Sequence, residues 1–366
     1  MKILHIVKLF YPPEIGGVEL FVNELSKELA KEHEVAVLCA SNDSKSSIEY
    51  IDGYKVVRAG SIVRLFSTSI APTAYFKMKK MIENYDIIHF HHPNPLFTLL
   101  YCMIRPTQKL VIHWHSDIVR QWYFMPFFKP FQDFLLRRAD RIVCTTPDYM
   151  KSSLHLKKFQ NKCVTIPLGI DPARLVVDEE KVIQIRREYG NRKIVFSLGR
   201  LVPYKGFEYL IKAAKNIDAN ILIGGDGKLR DELKELIISE GVGGKVKLLG
   251  RLDNDEIPAY YKACDIFVLP SITRNEAFGI VQMEAMFFER PIVSTTIPGS
   301  GVAWVNQNGV TGLTVKPRDS VELAKAINLI LNDDDLYKRF SENAKRRFEN
   351  EFYIRKTAKK LLELFH

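Results

Sequence analysis

The sequence predicts an α/β protein made of two doubly wound domains, each a largely parallel sheet with helices on both faces. Three observations lead there. Short apolar runs alternate with helix-length amphipathic stretches along most of the 366 residues, the pattern of strands joined by crossover helices. The alternation breaks once, at Pro167-Leu168-Gly169-Ile170-Asp171-Pro172, and then restarts. The length also exceeds what one ordinary core organises. These observations divide the chain into 1–168, 169–350 and a returning helix at 351–366.

Taken in order, Ile3-Leu4-His5-Ile6-Val7 forms a buried strand within 2–7. Lys8 ends it, and the run is too short for the apolar core of a signal peptide. Gly16-Gly17 marks a turn, and Leu20, Val22, Leu25 and Leu29 give a helix its apolar face between about 18 and 31. Strands are expected at 34–39, 55–58, 86–90, 109–113, 141–145 and 163–166, with helices such as 73–84 and 131–138 between them. Past the break, a charged helix covers 179–189. The second series has strands at 193–198, 220–223, 245–249, 266–269 and 291–295. Helices fall at 206–216, 228–240, 255–263, 279–288, 319–332 and 334–348. The amphipathic tail, Tyr353 to Leu364, is expected to pack back across the first domain. Ligands of such sheets bind beyond the carboxyl ends of the strands, so the strand-end loops should carry the chemistry.

A hydrophobic content of 46% and a charged content of 26% describe a soluble globular chain rather than a disordered one. No apolar run approaches the roughly 18–20 residues of a membrane span. The five cysteines are scattered and odd in number, which reads as free thiols in a reducing cytoplasm. The net charge of +10 is concentrated in residues 1–170, which carry +7. Within 55–162 there are 17 basic residues against 6 acidic ones. Such a field suits anionic lipid, a phosphorylated acceptor or nucleic acid. The interleaved aromatics of Trp122-Tyr123-Phe124-Met125-Pro126-Phe127-Phe128-Lys129-Pro130-Phe131 favour a membrane–water interface over nucleic acid. A buried aromatic cluster beneath ordinary surface lysines explains the same residues equally well.

Two stretches carry chemistry. Ser197-Leu198-Gly199-Arg200-Leu201-Val202-Pro203-Tyr204-Lys205-Gly206 runs from a strand end into a helix. Arg200 and Lys205 beside helix-terminal amides make a receptor for a diphosphate and would stabilise charge on a leaving one. The second stretch, Pro270 to Glu284, again runs from strand to helix. Glu276 stands just before the expected helix, and the amides of Phe278, Gly279 and Ile280 are read as its open N-terminal donors. Glu284 lies roughly 6–9 Å further along at about 1.5 Å per residue, the reach from a diphosphate to the hydroxyls of a ribose. In the first half, His89, His91 and His92 follow one strand, while His113 and His115 end the next, with Asp117 nearby. A hydrolase-type metal site is one reading of these residues. Core histidines are the other.

The spacing of Gly199 to Gly206 with Glu276 and Glu284 resembles the family-4 retaining glycosyltransferases of GT-B fold, two Rossmann-like domains facing across a cleft. Gly16-Gly17-Val18-Glu19, Ile166 to Asp171 and Gly224-Gly225-Asp226-Gly227 extend the resemblance over nearly the whole chain. It implies that Arg200 and Lys205 bind the donor diphosphate, that Glu276 contacts the donor sugar and that Glu284 contacts the ribose. It further implies that Gly16 and Gly17 line the phosphate, that Arg251 and Leu252 lie by the nucleobase and that His115 stands at the reaction centre. It implies transfer with retention, the leaving diphosphate assisting deprotonation of the acceptor. Neither cofactor nor metal is expected, no Asp-x-Asp metal site being read. The stretch Thr273 to Gly279 resembles bacterial mannosyltransferases of surface polysaccharide synthesis, which implies GDP-mannose as donor. The acceptor implied is a lipid-diphosphate-linked glycan, and the location the cytoplasmic face of the cell membrane. UDP-hexose and UDP-N-acetylhexosamine are the alternative donors. The competing classes are a dinucleotide-dependent oxidoreductase, a sugar-nucleotide epimerase and a non-catalytic sugar-binding module. An oxidoreductase lacks its Gly-x-Gly-x-x-Gly after the first strand here, and a sugar-binding module has no need of diphosphate cations.

Overall fold

The computed structural model describes residues 1–12, 16–65, 68–118, 125–190 and 192–366. It divides into two units: Met1–Gly169 together with Ile354–His366, and Ile170–Tyr353. Trp122, Tyr123 and Phe124 of the aromatic stretch lie outside the described residues.

The first unit runs β1 (Lys2–Ile6), α1 (Gly17–Leu29), β2 (Glu34–Ala40), β3 (Ser47–Ile51), β4 (Tyr54–Ala59), β5 (Val63–Leu65), β6 (Thr68–Ile70), α2 (Thr73–Ile82) and β7 (Ile87–His92). It continues with α3 (Pro95–Ile104), β8 (Lys109–Trp114), α4 (Met125–Arg138), β9 (Arg141–Cys144), α5 (Pro147–Ser152) and β10 (Cys163–Thr165). Its sheet has the order β10-β9-β8-β7-β1-β2-β4-β3, parallel except for the antiparallel β3. The central strands are buried along almost their whole length, as a sheet covered on both faces requires.

The second unit runs α6 (Glu179–Glu188), β11 (Ile194–Leu198), α7 (Phe207–Ala213), β12 (Asn220–Gly224), α8 (Arg230–Ser239), β13 (Val246–Gly250), α9 (Ile257–Ala263) and β14 (Ile266–Leu269). It closes with α10 (Ile280–Phe287), β15 (Ile292–Thr295), α11 (Val302–Val305), β16 (Gly312–Val315), α12 (Ser320–Leu331) and α13 (Asp334–Arg347). Six parallel strands are ordered β13-β12-β11-β14-β15-β16. Val195, Ile221, Ile223 and Val268 of the sheet pack with Leu210, Ile211, Ile327 and Ile330 of the helices in one apolar core. Side-chain caps set the helix starts: Asp178, Asp319 and Asp333 accept from Lys181, Glu322 and Leu336 amides at 3.1, 2.9 and 2.8 Å.

The tail is α14 (Ile354–Phe365), which belongs to the first unit and packs on α1. Ile354, Ala358, Leu361 and Phe365 supply its buried stripe. Thr357 Oγ1 donates to the Pro167 carbonyl at 3.0 Å and ties the tail to the chain just before it leaves the unit.

Some elements differ from the sequence reading. The segment 95–104 is a helix, α3, capped by Asn94. Its residues are apolar nearly all round, so no amphipathic period marks it. The helix expected at 131–138 begins earlier, the aromatic, proline-containing segment from Met125 being the start of α4. Pro126 sits in the first turn, where its missing N–H has no helical partner to lose. The antiparallel β3 and the β5–β6 hairpin also went unmarked.

In each of the two large sheets the strand order reverses about the unit's first strand. From β11 the chain moves outward through β12 and β13, then crosses back to place β14 on the other side. In the first unit the same reversal falls between β1 and β7. Crevices at such reversals, beyond the carboxyl ends, are where doubly wound sheets bind ligands.

Candidate active site

The two chemistry-bearing stretches follow β11 and β14, the strands that flank the reversal in the second unit. The Ile272 amide donates to the Tyr204 carbonyl at 2.8 Å and joins the two loops. Gly206 adopts φ +67°, and a Cβ there would stand 2.2 Å from the Pro270 carbonyl oxygen. Only glycine allows the loops to approach so closely. That approach brings Lys205 to Glu276, with Nζ 2.5 Å from Oε2 and the side chains 10% and 11% exposed. Ser271 Oγ donates to the same Glu276 oxygen at 3.1 Å, and Ser300 Oγ donates to the Glu276 carbonyl. Glu276 is therefore held from three directions. Arg200 is exposed, its guanidinium donating to Tyr204 Oη at 3.3 Å.

The helix α10 begins at Ile280, with Gly279 as its N-cap at φ +82°. This corrects the expected start. The first helical amides are those of Ile280 and Val281, while Phe278 and Gly279 precede the helix. A Cβ on Gly279 would lie 2.7 Å from Leu269 Cδ2, so the turn from β14 into α10 also demands glycine. Glu284 is on the second turn and is 6% exposed, not a surface charge. Arg174 Nη2 lies 2.5 Å from its Oε1, and Tyr261 Oη donates to Oε2 at 2.7 Å. Burial and then the neighbouring Glu284 charge hold the Tyr261 phenol protonated, with its pKa well above the ordinary value. A carboxylate accepts about four hydrogen bonds, so Glu284 retains capacity for the two hydroxyls of a diol. Arg251 and Leu252 follow β13, at the carboxyl edge of the same sheet and two strands from β11. Arg251 is exposed and Leu252 half-buried.

In the first unit, Gly16 is the extended N-cap of α1 and Gly17 its first residue. The Glu19 carboxylate occupies the space over Gly16, with Oε2 2.3 Å from where a Cβ would stand. The histidines come together at the reversal of this sheet. His5 of β1 is in register with His89 of β7, and His91 of β7 with His113 of β8. His115 follows β8, and its amide donates to the His92 carbonyl at 3.0 Å. The rings of His113 and His115 stack 4.4 Å apart. Burial lowers the pKa of His5 and of His115 to about 3 and takes those of His89, His91 and His113 well below the usual imidazole range. The cluster is neutral. His92 belongs elsewhere, stacked on Trp114 at 3.9 Å.

A family model described as Glycosyltransferase Family 4 matches residues 15–174, and one described as Glycosyl transferases group 1 matches residues 178–347. The O-antigen chain mannosyltransferase C of Escherichia coli is 33% identical over 353 residues, covering 96% of this chain and 94% of its own. The chain belongs to glycosyltransferase family 4. The D-rhamnosyltransferase WbpZ of Pseudomonas aeruginosa is 27% identical, covering 96% of this chain and 92% of its own. The crystal structure of Anabaena Alr3699/HepE in complex with UDP has the same fold, with a TM-score of 0.79 at 22% identity, covering 100% of this chain and 99% of that one. The family-4 chain is thus a hexosyltransferase enzyme with the GT-B pair of Rossmann-like domains.

Three residues that partner the predicted ones escaped the sequence reading. Arg174 lies in the short turn Pro172–Arg174, whose start Asp171 caps by accepting from the Ala173 amide at 3.0 Å. It and Tyr261 reach Glu284 from 110 and 23 residues away. His5, inside the first apolar strand, is the third. The signal was present there, since a histidine in a run buried on both faces needs a polar partner.

The metal reading finds imidazoles close together: His5, His89 and His91, or His91, His113 and His115, have ring nitrogens within 4.8 Å of one another. Neither triad includes a carboxylate. Both ring nitrogens of His89 and of His113 lack a partner among the described residues, whereas a metal-bound histidine normally gives its second nitrogen to an acceptor. Asp117 stands apart, accepting from Trp114 Nε1 at 2.9 Å and Ser153 Oγ at 2.7 Å. Two Asp-x-Asp triplets do occur, Asp253-Asn254-Asp255 and Asp333-Asp334-Asp335, which corrects the sequence reading. Among the described residues neither joins a metal-capable cluster, and Asp333 is committed to capping α13.

Proposed function

We propose that this glycosyltransferase transfers mannose from GDP-mannose, with retention and without a metal, to a lipid-diphosphate-linked glycan. The observation that carries the reading is the Lys205–Glu276 pair at the β11/β14 reversal, with Glu284 fixed on the second turn of α10. A buried cation beside a helix start is the equipment for an anion, and Arg200 adds a second charge at the rim. When a diphosphate arrives, Lys205 transfers its charge from Glu276 to phosphate oxygen. Glu276 then accepts from the sugar hydroxyls, and Glu284 from the ribose through the lone pairs that Arg174 and Tyr261 leave open. As the bond from the anomeric carbon to the phosphate oxygen breaks, Arg200, Lys205 and the α10 amides stabilise the departing diphosphate. The acceptor oxygen bonds to the same face of the sugar, and its proton passes to the leaving phosphate. No protein nucleophile takes part. In this reading His115 contacts the transferred sugar, and Gly16 and Gly17 approach the phosphate.

Mannose is supported by the kinship to the E. coli O-antigen mannosyltransferase. The lipid-linked acceptor is supported by the first unit. Phe76 on α2, Met103 on α3 and Phe127 on α4 are exposed, α3 packs against both α2 and α4, and Lys77, Lys79, Lys80 and Lys129 accompany them. Exposed rings among cations suit an anionic bilayer surface, the cytoplasmic leaflet in this reading. No helix among the described residues is long and apolar enough to cross a membrane, so the contact proposed is peripheral. The donor is tested by thermal shift against GDP, UDP, ADP and dTDP, then their sugars. Stabilisation by GDP and GDP-mannose alone is expected; stabilisation by UDP in place of GDP overturns the donor assignment.

A further inference from the structure

Three of the buried histidines form a hydrogen-bonded line. His5 Nδ1 lies 3.1 Å from His91 Nε2, and His91 Nδ1 lies 2.9 Å from His115 Nε2. At the two ends, His5 Nε2 and His115 Nδ1 have no partner among the described residues. A neutral imidazole carries one N–H, so each ring has one donor and one acceptor nitrogen. His91 uses both of its nitrogens in the line, and one must donate while the other accepts. Only two proton arrangements satisfy this. In one, His5 donates to His91 and His91 donates to His115, which leaves the His115 proton on Nδ1 and His5 Nε2 bare. In the other every role reverses, so that His115 Nδ1 is bare and His5 buries an N–H without an acceptor.

The interior decides between them. Orphaned buried N–H groups are rarer in native proteins than under-satisfied acceptors, and the second arrangement places such an N–H at the fully buried His5. The first leaves a bare nitrogen there and moves the unpaired N–H to His115 Nδ1, which is also buried but follows the carboxyl end of β8, where such sheets bind ligands and a ligand oxygen can accept it. We propose that His91 and His5 are positioning residues which hold His115 in the tautomer with its proton on Nδ1, presenting it to the transferred sugar as a hydrogen-bond donor. His115 then polarises or orients a sugar oxygen and does not serve as a base, in keeping with a leaving phosphate that takes the acceptor proton. This inference rests on the reading that places His115 at the reacting sugar.

The test uses the full chain, with ¹⁵N-labelled histidine, to determine by long-range ¹H–¹⁵N correlation which His115 nitrogen is protonated. The Nδ1–H form is expected in the wild type, with loss of that preference in His5→Phe. A proton on Nε2 overturns the proposal whether or not the variants fold. Kinetics supply the second arm. His91→Leu should lower kcat about tenfold, the worth of one hydrogen bond to a reacting group, with donor KM little changed. His91→Asn, whose amide reaches the Nδ1 position with both a donor and an acceptor, should restore most of kcat. Equal turnover in the Leu variant and the wild type overturns the positioning role. His115→Ala separates the two levels: wild-type kcat there removes His115 from the reaction, while the ¹⁵N result still decides the tautomer.

Discussion

The Lys205–Glu276 pair lends itself to a cycle in which stability and catalysis part company. Lys205→Met leaves Glu276 charged, about a tenth exposed and supported, among the described residues, by the Ser271 hydroxyl. Breaking a buried pair from one side costs about 3–5 kcal/mol. The remaining Ser271 bond and the slight exposure put this case at the lower end, near ~3 kcal/mol. In a unit the size of Ile170–Tyr353, that lowers Tm by roughly 6–12 °C. Glu276→Gln should do likewise by stranding the lysine. The double variant removes both charges, and its stability should return to within about 1 kcal/mol of wild type, since an ion pair and a neutral replacement are often equivalent. Activity should follow a different course. Loss of a fixed cation from a developing phosphate charge costs about 10²–10³ in kcat, and deleting its partner cannot replace it. The assay is initial-rate sugar transfer alongside thermal melts of the four proteins. If kcat recovers in the double variant together with Tm, the pair merely braces two loops, and the catalytic assignment of Lys205 is refuted.

The other predictions are briefer. Arg174→Met removes one of the two groups aligning Glu284 and should raise donor KM about tenfold with kcat nearly unchanged, the loss of one charge-assisted hydrogen bond; an unaltered KM would show that Tyr261 suffices. Transfer should persist in excess EDTA; abolition with rescue by Mn²⁺ would overturn the metal-free reading. In flotation assays the protein should rise with anionic vesicles at low salt and less so as salt screens the lysines, and a Phe76→Ser/Phe127→Ser variant should rise less. Indifference to lipid charge would end the membrane proposal.

The alternation of strands and helices was legible in the sequence because both sheets are parallel and buried on both faces, which leaves apolar runs with sharp ends. Ile266–Leu269 was placed without error for that reason. The helix α3 was not legible, since a helix apolar on every side lacks the period that marks the others. Among the site residues, Arg200, Lys205, Glu276 and Glu284 stood out because strand–loop–helix transitions fix where such side chains go. Their partners did not stand out. Lys205 meets Glu276 only because β11 and β14 are neighbours, and strand order is a long-range property that no local pattern encodes. Glu284 was read as a ribose contact, but Arg174 and Tyr261, which hold it, reach it from 110 and 23 residues away. The histidines show the same limit, for two His-x-His pairs announce a cluster but not the hydrogen bonds within it.

The chain leaves the first unit at Gly169 and re-enters it at Ile354, and this ordering has consequences during synthesis. On the ribosome the first sheet emerges early yet must wait for α14, made after the whole of the second unit, to cover the apolar side of α1. The second unit has all its strands and helices within one continuous stretch and can close first. Loss of α14 would therefore injure the part of the protein made earliest and spare the part made just before it. A chain interrupted before α14 would expose the histidine-bearing unit to quality control while the second unit was already formed.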